Sequence, residues 1–179
     1  MTATVDCVAA VPDPAELRAA VRDYLEGVVP HFRERLGDVF DAGAMAEATL
    51  GNLAAYLPPR GRLMVARDAD GPLLGTCFLK MLAPDTAEIK RLFVRPAARG
   101  MGLGGALARR AVAEARAMGA RRVLLDTGVW MSEAQALYRR MGFVEIGRYA
   151  ESENPPEVEN LLVYMELALA PDGVTPVSR

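Results

Sequence analysis

The sequence predicts an α/β (α+β) fold: a central mixed, mostly antiparallel sheet of about seven strands, flanked by about four helices. Three observations carry this expectation. Apolar residues recur at helical spacing up to about residue 57, and the period then changes to three strand-like runs in succession. After a glycine-rich stretch at 100–105, strands and helices alternate.

ATVDCVAAV (3–11) reads as a first strand. Asp13-Pro14-Ala15-Glu16 then starts a helix, with Asp at the N-cap, Pro in the first turn and Glu three residues on. Leu17, Val21, Tyr24, Leu25 and Val28 follow on one face, and His31 falls just after this helix. Asp41 caps a second helix bearing Met45, Thr49, Leu53 and Leu57, stopped by Pro58-Pro59. RLMVARD (62–68), PLLGTCFLKML (72–82) and AEIKRLFV (87–94) form a meander, turned by Asp70-Gly71 and by Ala83-Pro84-Asp85. A helix with Leu103, Leu107, Ala111 and Met118 on one side ends at Gly119. RRVLLDT (121–127) is a buried strand, SEAQALYRRM (132–141) a short helix stopped by Gly142, and FVEIGRYA (143–150) and LLVYMELAL (161–169) two last strands.

With 179 residues, 51% of them hydrophobic, and a net charge of −2, the chain has the balance of one soluble globular domain. Residues 1–170 are expected to form it and 171–179 a loose tail. The charge balance gives no support to nucleic-acid binding, and no apolar run approaches the ~18 residues of a membrane helix. The N-terminus lacks a secretory pattern, so the cytoplasm is the expected compartment. Cys7 and Cys77 read as buried free thiols, and one histidine with no CxxC pair argues against a metal.

Four glycines, Gly100, Gly102, Gly104 and Gly105, precede the third helix. A strand, a glycine-rich turn and a helix make a phosphate cradle, because unpaired amides and the macrodipole both favour an anion there. A tight turn needing positive φ explains one or two of the glycines but not four. No Lys-Ser/Thr follows, which excludes a Walker A loop. Gly100-Met101-Gly102-Leu103-Gly104-Gly105 also satisfies the dinucleotide pattern, with Asp126 21 residues later as the ribose acid. Against that reading, five residues separate Val94 from Gly100, and the preceding strands form a meander.

Arg99-x-x-Gly102-x-Gly104 after Val94-Arg95-Pro96 resembles the acyl-CoA signature of the GNAT N-acetyltransferase superfamily. AEIKRLFVRPAARG and LDTG…EAQALYRRMGF are similar to a bacterial branch whose substrates are mostly undefined. The resemblance spans about residues 3 to 169 and implies transfer of acetyl from acetyl-CoA to an amine by direct attack, with no metal. It implies that the backbone of Arg99, Gly100, Met101, Gly102, Leu103, Gly104 and Gly105 holds the pyrophosphate. It also implies that Leu92, Phe93 and Val94 line the pantetheine arm where the fourth strand splays from the fifth. Arg95 and Arg99 are candidates for added charge; Arg109 and Arg110 are candidates for the 3′-phosphate or simply the wet helix face.

Tyr138 matches the family's general acid: a phenol of pKa about 10 is protonated at pH 7 and suits a thiolate leaving group. Packing on the helix stripe is its alternative role. Glu88 matches the position of a general base acting through water. On strand alternation it shares a face with Lys90, Leu92 and Val94, so a structural Glu88–Lys90 pair is the alternative. Met131 stands where the resemblance implies Asn or Gln, so one side-chain contact to the cofactor is missing unless Ser132 supplies it. His31 and the loop ESENPPEVEN, with Glu151, Glu153, Glu157 and Glu159, are candidates near the acceptor entrance. The expected acceptor is a small amine or amino acid, and a homodimer is common among relatives. Two alternatives stand beside this: a protein N-terminal or lysine acetyltransferase, and a CoA-binding regulatory module without turnover.

Overall fold

The computed structural model describes residues 3–11, 13–68 and 71–170. Along the chain run β1 (Ala3–Val8), α1 (Pro14–Leu36), α2 (Ala42–Gly51), β2 (Gly61–Asp68), β3 (Leu73–Ala83), β4 (Thr86–Val94), α3 (Leu103–Ala117), β5 (Arg122–Gly128), α4 (Ser132–Arg140), β6 (Val144–Ile146) and β7 (Leu162–Ala168). This is the predicted order. The strands make one sheet, β1-β2-β3-β4-β5-β7-β6. Only β4 and β5 run parallel, joined by the crossover through α3.

Each sheet face has its own core. Met64, Leu79, Ile89, Leu125 and Met165 face α3, whose Leu103, Leu107 and Ala111 close over them. Leu63, Val65, Phe78 and Phe93 face the other way, onto Leu17, Val21 and Leu25 of α1 and Ala46 of α2. Fully burying one such leucine is worth about 1.5–3 kcal/mol, so the α3 stripe alone holds that helix to the sheet.

The Asp13 carboxylate accepts from the N–H groups of Ala15 and Glu16 at 2.8 and 3.2 Å, as its capping pattern predicts. His31 is a correction: α1 continues through Pro30 to Leu36, so His31 lies inside the helix. Glu26, Gly27 and Pro30 are exposed, so the carbonyl that proline leaves unbonded meets water. Val28, Val29 and Phe32, buried on the inner side, hold the remaining turns.

The second helix ends at Gly51 rather than Leu57, and a 3-10 turn over Leu53–Tyr56 completes the run. Asp70 of the expected Asp70-Gly71 turn lies outside the described residues, as does the tail 171–179; the Gly71 N–H donates to the Asp68 carbonyl at 2.9 Å. The strand expected over 143–150 shortens to Val144–Ile146, because Tyr149 turns away to bond Glu88.

At the end of β5, a β-carbon on Gly128 would stand 2.6 Å from indole carbons of Trp130. That ring stacks on His31 at 4.6 Å and meets Phe32 edge-on at 5.3 Å. The indole thereby clamps α1 over the end of β5. Gly128→Ala is expected to displace it at a cost of about 1–3 kcal/mol, read as a fall in Tm. An unchanged Tm would show that the clamp contributes nothing.

Candidate active site

The glycine loop presents backbone donors. Gly100 and Gly102 have φ of 80° and 76°, which explains those two glycines by conformation alone. Gly102 caps α3 without a side-chain bond, so the N–H groups of Leu103, Gly104 and Gly105 have no helical acceptor. Nor do the N–H groups of Gly100, Met101 and Gly102 reach a backbone carbonyl among the described residues. Six consecutive amides are therefore unpaired, at the positive end of a 15-residue helix. A β-carbon on Gly104 would meet only Val94 and Leu137 methyls, at 3.8 and 3.9 Å. The fold would accept alanine there, so the bare backbone answers to something that approaches it from outside.

Beside the loop, β4 and β5 part. Their pairing ends at Ile89↔Leu125. In β4 the register against β3 jumps from Phe78↔Lys90 to Thr76↔Phe93, a bulge that gives β4 one extra residue. Arg91 sits in it at φ 50°, a strained conformation held by its Nε bond to Thr49 Oγ1 of α2 at 2.8 Å. The bulge corrects the expected alternation. Glu88 and Lys90 face one way, while Leu92 and Val94 turn to the α3 side and Phe93 to the α1 side. Leu92, Phe93 and Val94 thus line the arm of the splay that lies beyond β5.

Tyr138 is buried on α4, 4% exposed, with its ring 5.5 Å from Phe143. Among the described residues its hydroxyl has no hydrogen-bond partner. Burial raises its pKa well above the usual value, and the Asp126 carboxylate adds to that. The phenol is thus a neutral O–H within electrostatic reach of Cys77 of β3, Tyr24 of α1 and Asp126 of β5.

Glu88 has no exposed surface. Its Oε1 accepts from Tyr149 at 2.5 Å and lies 3.0 Å from Lys90 Nζ. Its Oε2 makes no hydrogen bond, with Lys80 Nζ 3.4 Å away. The Glu88–Lys90 pair is formed, and no atom of Glu88 meets solvent through which a water-borne proton could arrive. Lys90 also holds Asp126 Oδ2 at 2.5 Å, and Lys80 holds Glu153 Oε2 at 2.7 Å. Burial pulls the Lys90 pKa down, but the Asp126 and Glu88 carboxylates more than offset it, so Lys90 stays charged beyond the ordinary lysine range.

Other candidates fall elsewhere. Arg95 bonds the Leu73 carbonyl at 2.8 Å and Asp23, which makes it a brace between α1 and the sheet. Arg99 is exposed beside the amide run. Arg109 folds back over Gly105, and Arg110 pairs with Glu114 at 2.8 Å. Met131 Sδ accepts from Thr127 Oγ1 at 3.6 Å, a bond inside the β5–α4 connection. Of the acidic loop, Glu151, Glu153 and Glu159 pair with Arg122, Lys80 and Arg148. Glu151 and Glu153 thus tie that loop to β5 and β3, while Glu159 pairs within the β6–β7 connection.

A cradle of unpaired amides beside a splayed parallel pair is a place for a phosphate-bearing cosubstrate. The profile of the Acetyltransferase (GNAT) family matches residues 25–143. This chain belongs to the GNAT acetyltransferase family. It is similar to an IAA acetyltransferase of Azospirillum brasilense, 34% identical over 153 residues, which are 83% of this chain and 93% of the relative. It is also similar to a mycothiol acetyltransferase of Beutenbergia cavernae, 41% identical over 49% of this chain and 30% of the relative. An acetyltransferase structure from Streptococcus agalactiae shares the fold, with a TM-score of 0.69 at 20% identity, covering 92% of this chain and 98% of the other.

The GNAT acetyltransferase uses acetyl-CoA as acetyl donor, and its unpaired amides fit a pyrophosphate in number and charge. Sequence reading missed three parts of its site. The sequence offers Asp126 only as a ribose ligand, whereas it lies just past Ile89↔Leu125, where β4 and β5 part. Tyr24 of α1 lies within electrostatic reach of Arg91, Asp126 and Lys90. Tyr149 bonds Glu88 across 61 residues of sequence, a contact that no local pattern announces.

Proposed function

We propose that this acetyltransferase moves the acetyl group of acetyl-CoA to the amine of a small molecule. Arg99 through Gly105 hold the pyrophosphate, and Leu92–Val94 line the pantetheine arm. The carrying observation is the run of six unpaired amides over Gly100–Gly105 beside the open arm of β4. In the reaction the amine nitrogen bonds the thioester carbonyl carbon, the C–S bond breaks, and Tyr138 gives its proton to the sulfur. Glu88 keeps its two lysines and Tyr149, and serves as a buried counter-charge. The relative named for IAA, covered to 93%, supports a small acceptor.

The test is acetyl-CoA binding by calorimetry, followed by release of free thiol with a panel of amines. Gly104→Ala adds to the bare backbone a β-carbon that meets only ordinary contacts inside the fold. It is expected to weaken acetyl-CoA at least about tenfold, or about 1.4 kcal/mol, with Tm retained. Binding unchanged in that variant would remove the cradle from the site.

A further inference from the structure

We propose that Asp126 is the ammonium-binding and proton-accepting residue of the acceptor site, and that the acceptor class is a protonated aliphatic amine. This rests on the reading above of the splay as the place of acetyl transfer.

Four features of the fold lead to Asp126. First, it is the β5 residue just past the last β4 pair, Ile89↔Leu125, and pairs only with Tyr164 of β7. Its backbone edge toward β4 is thus part of the splay. Second, strand alternation sends its side chain to the same face as Lys90 and Glu88, opposite the face closed by α3. Third, its Oδ2 is held by Lys90 at 2.5 Å, while Oδ1 has no bond among the described residues. Its side chain is 15% exposed against 10% for Lys90 and 0% for Glu88, so it is the outermost of the three. Fourth, the Tyr164 hydroxyl, on the residue in register with Asp126, is buried without a partner. Such a hydroxyl, on the strand paired with Asp126, is an unmet polar group near the site.

The charges agree. Glu88, Asp126 and Glu153 set three carboxylates against the ammoniums of Lys80 and Lys90 in one connected cluster. Glu153, the most exposed carboxylate, takes Lys80, and Glu88 lies against both lysines, so Asp126 shares its one cation, Lys90, with Glu88. The other titratable groups around Asp126 are Tyr24 from α1, Tyr138 from α4, Tyr149 from the β6–β7 connection and Arg91 from the bulge. Burial holds the three tyrosines neutral. Lys90 cannot act as the base, because its two carboxylate partners keep it protonated.

The proton account closes on these groups. An arriving alkylammonium pairs with Oδ1 and loses one proton through Asp126 to solvent. The freed lone pair forms the N–C bond and the C–S bond breaks. Tyr138 protonates the sulfur and recovers the second proton that the nitrogen sheds. Free carboxylate and ammonium differ by about six pKa units, so the ion pair is the stable bound form and proton transfer belongs to the reactive fraction.

The experiment compares Asp126→Asn and Asp126→Glu with wild type. The probes are the best alkylamine of the panel and an O-alkylhydroxylamine of the same skeleton, which is uncharged at pH 7. For Asp126→Asn, kcat/KM with the alkylamine is expected to fall about 100-fold, and with the neutral analogue no more than about threefold. Asp126→Glu, which keeps the charge one methylene further out, should retain the preference for the cationic probe. Acetyl-CoA affinity, measured by calorimetry, should match wild type in both. Equal losses for the two nucleophiles, no loss for either, or a parallel loss of acetyl-CoA affinity would each overturn the assignment. Wild-type protein that binds acetyl-CoA yet releases no thiol with any amine overturns the parent reading, and this one with it.

Discussion

Lys90→Met is expected to cost about 3–5 kcal/mol of stability, the range for removing one partner of a buried ion pair. The lysine lies between two carboxylates, 3.0 Å from Glu88 Oε1 and 2.5 Å from Asp126 Oδ2. Methionine fills the same volume but leaves both oxygens without their cation. Tyr149 and Lys80 still reach Glu88, so the protein should fold with a lower urea midpoint rather than fail to fold. The loss should be flat between about pH 6 and 9. Lys90 is raised above its unfolded pKa of about 10.4, so its stabilisation is complete below that value and fades only as pH climbs through the higher folded one. On the acid side, Glu153 behaves oppositely. Its bond to Lys80 holds its pKa below the ordinary glutamate value, so that contribution is present above about pH 4.3 and is lost on further acidification. Replacing Glu88 with leucine alongside Lys90→Met should recover part of the loss, because an apolar pair no longer buries an orphan charge. A cost under about 1 kcal/mol for the single change would place the cluster among solvated surface pairs.

What the sequence discloses about this fold depends on how far apart the interacting residues lie. Element order is local: a change from helical to alternating period at about residue 60, capping by Asp13 and Asp41, and stops at Gly119 and Gly142 each need only a few neighbouring residues. The glycine-rich turn is equally legible: positive φ accounts for Gly100 and Gly102, while the room for a β-carbon at Gly104 leaves that glycine without a conformational reason. The bulge in β4 escapes such reading because its positive-φ residue is Arg91, with no glycine or asparagine to mark it. Missing it reverses the faces assigned to Leu92 and Val94. The helix through Pro30 escapes for a different reason. Proline lowers the local expectation of helix, while the packing of Val28 and Phe32 with Val158, Leu161 and Trp130, on segments remote in sequence, restores it. Glu88 is the sharpest case. Its position in β4 is local, but its chemistry is set by Lys80, Tyr149 and Asp126 on three other segments. Only the fold distinguishes a buried counter-charge from a base.

Tyr138→Phe is expected to lower kcat about 100-fold while leaving Tm and acetyl-CoA affinity near wild type. The removed hydroxyl makes no hydrogen bond among the described residues, and the ring keeps its packing on Phe143 at 5.5 Å, so stability has little to lose. The chemistry loses more. Burial lifts the Tyr138 pKa well above 10, which keeps the phenol protonated throughout the working range but also makes it a weaker acid. The same apolar setting acts on sulfur: the neighbouring Cys77 thiol, fully buried, is pushed far above its ordinary value. A thiolate expelled beside Tyr138 is made more basic by that environment too, so burial acts in the same direction on donor and acceptor and offsets part of the weakening of the acid. Two signatures follow. The wild-type rate should show no decline from phenol ionisation up to pH 10, because the raised pKa puts that ionisation above the range. In the phenylalanine variant, thioesters with more acidic thiols as leaving groups should recover activity, since they depart without a proton. A variant whose deficit is the same for every leaving group, or whose kcat is unchanged, would return Tyr138 to a packing role.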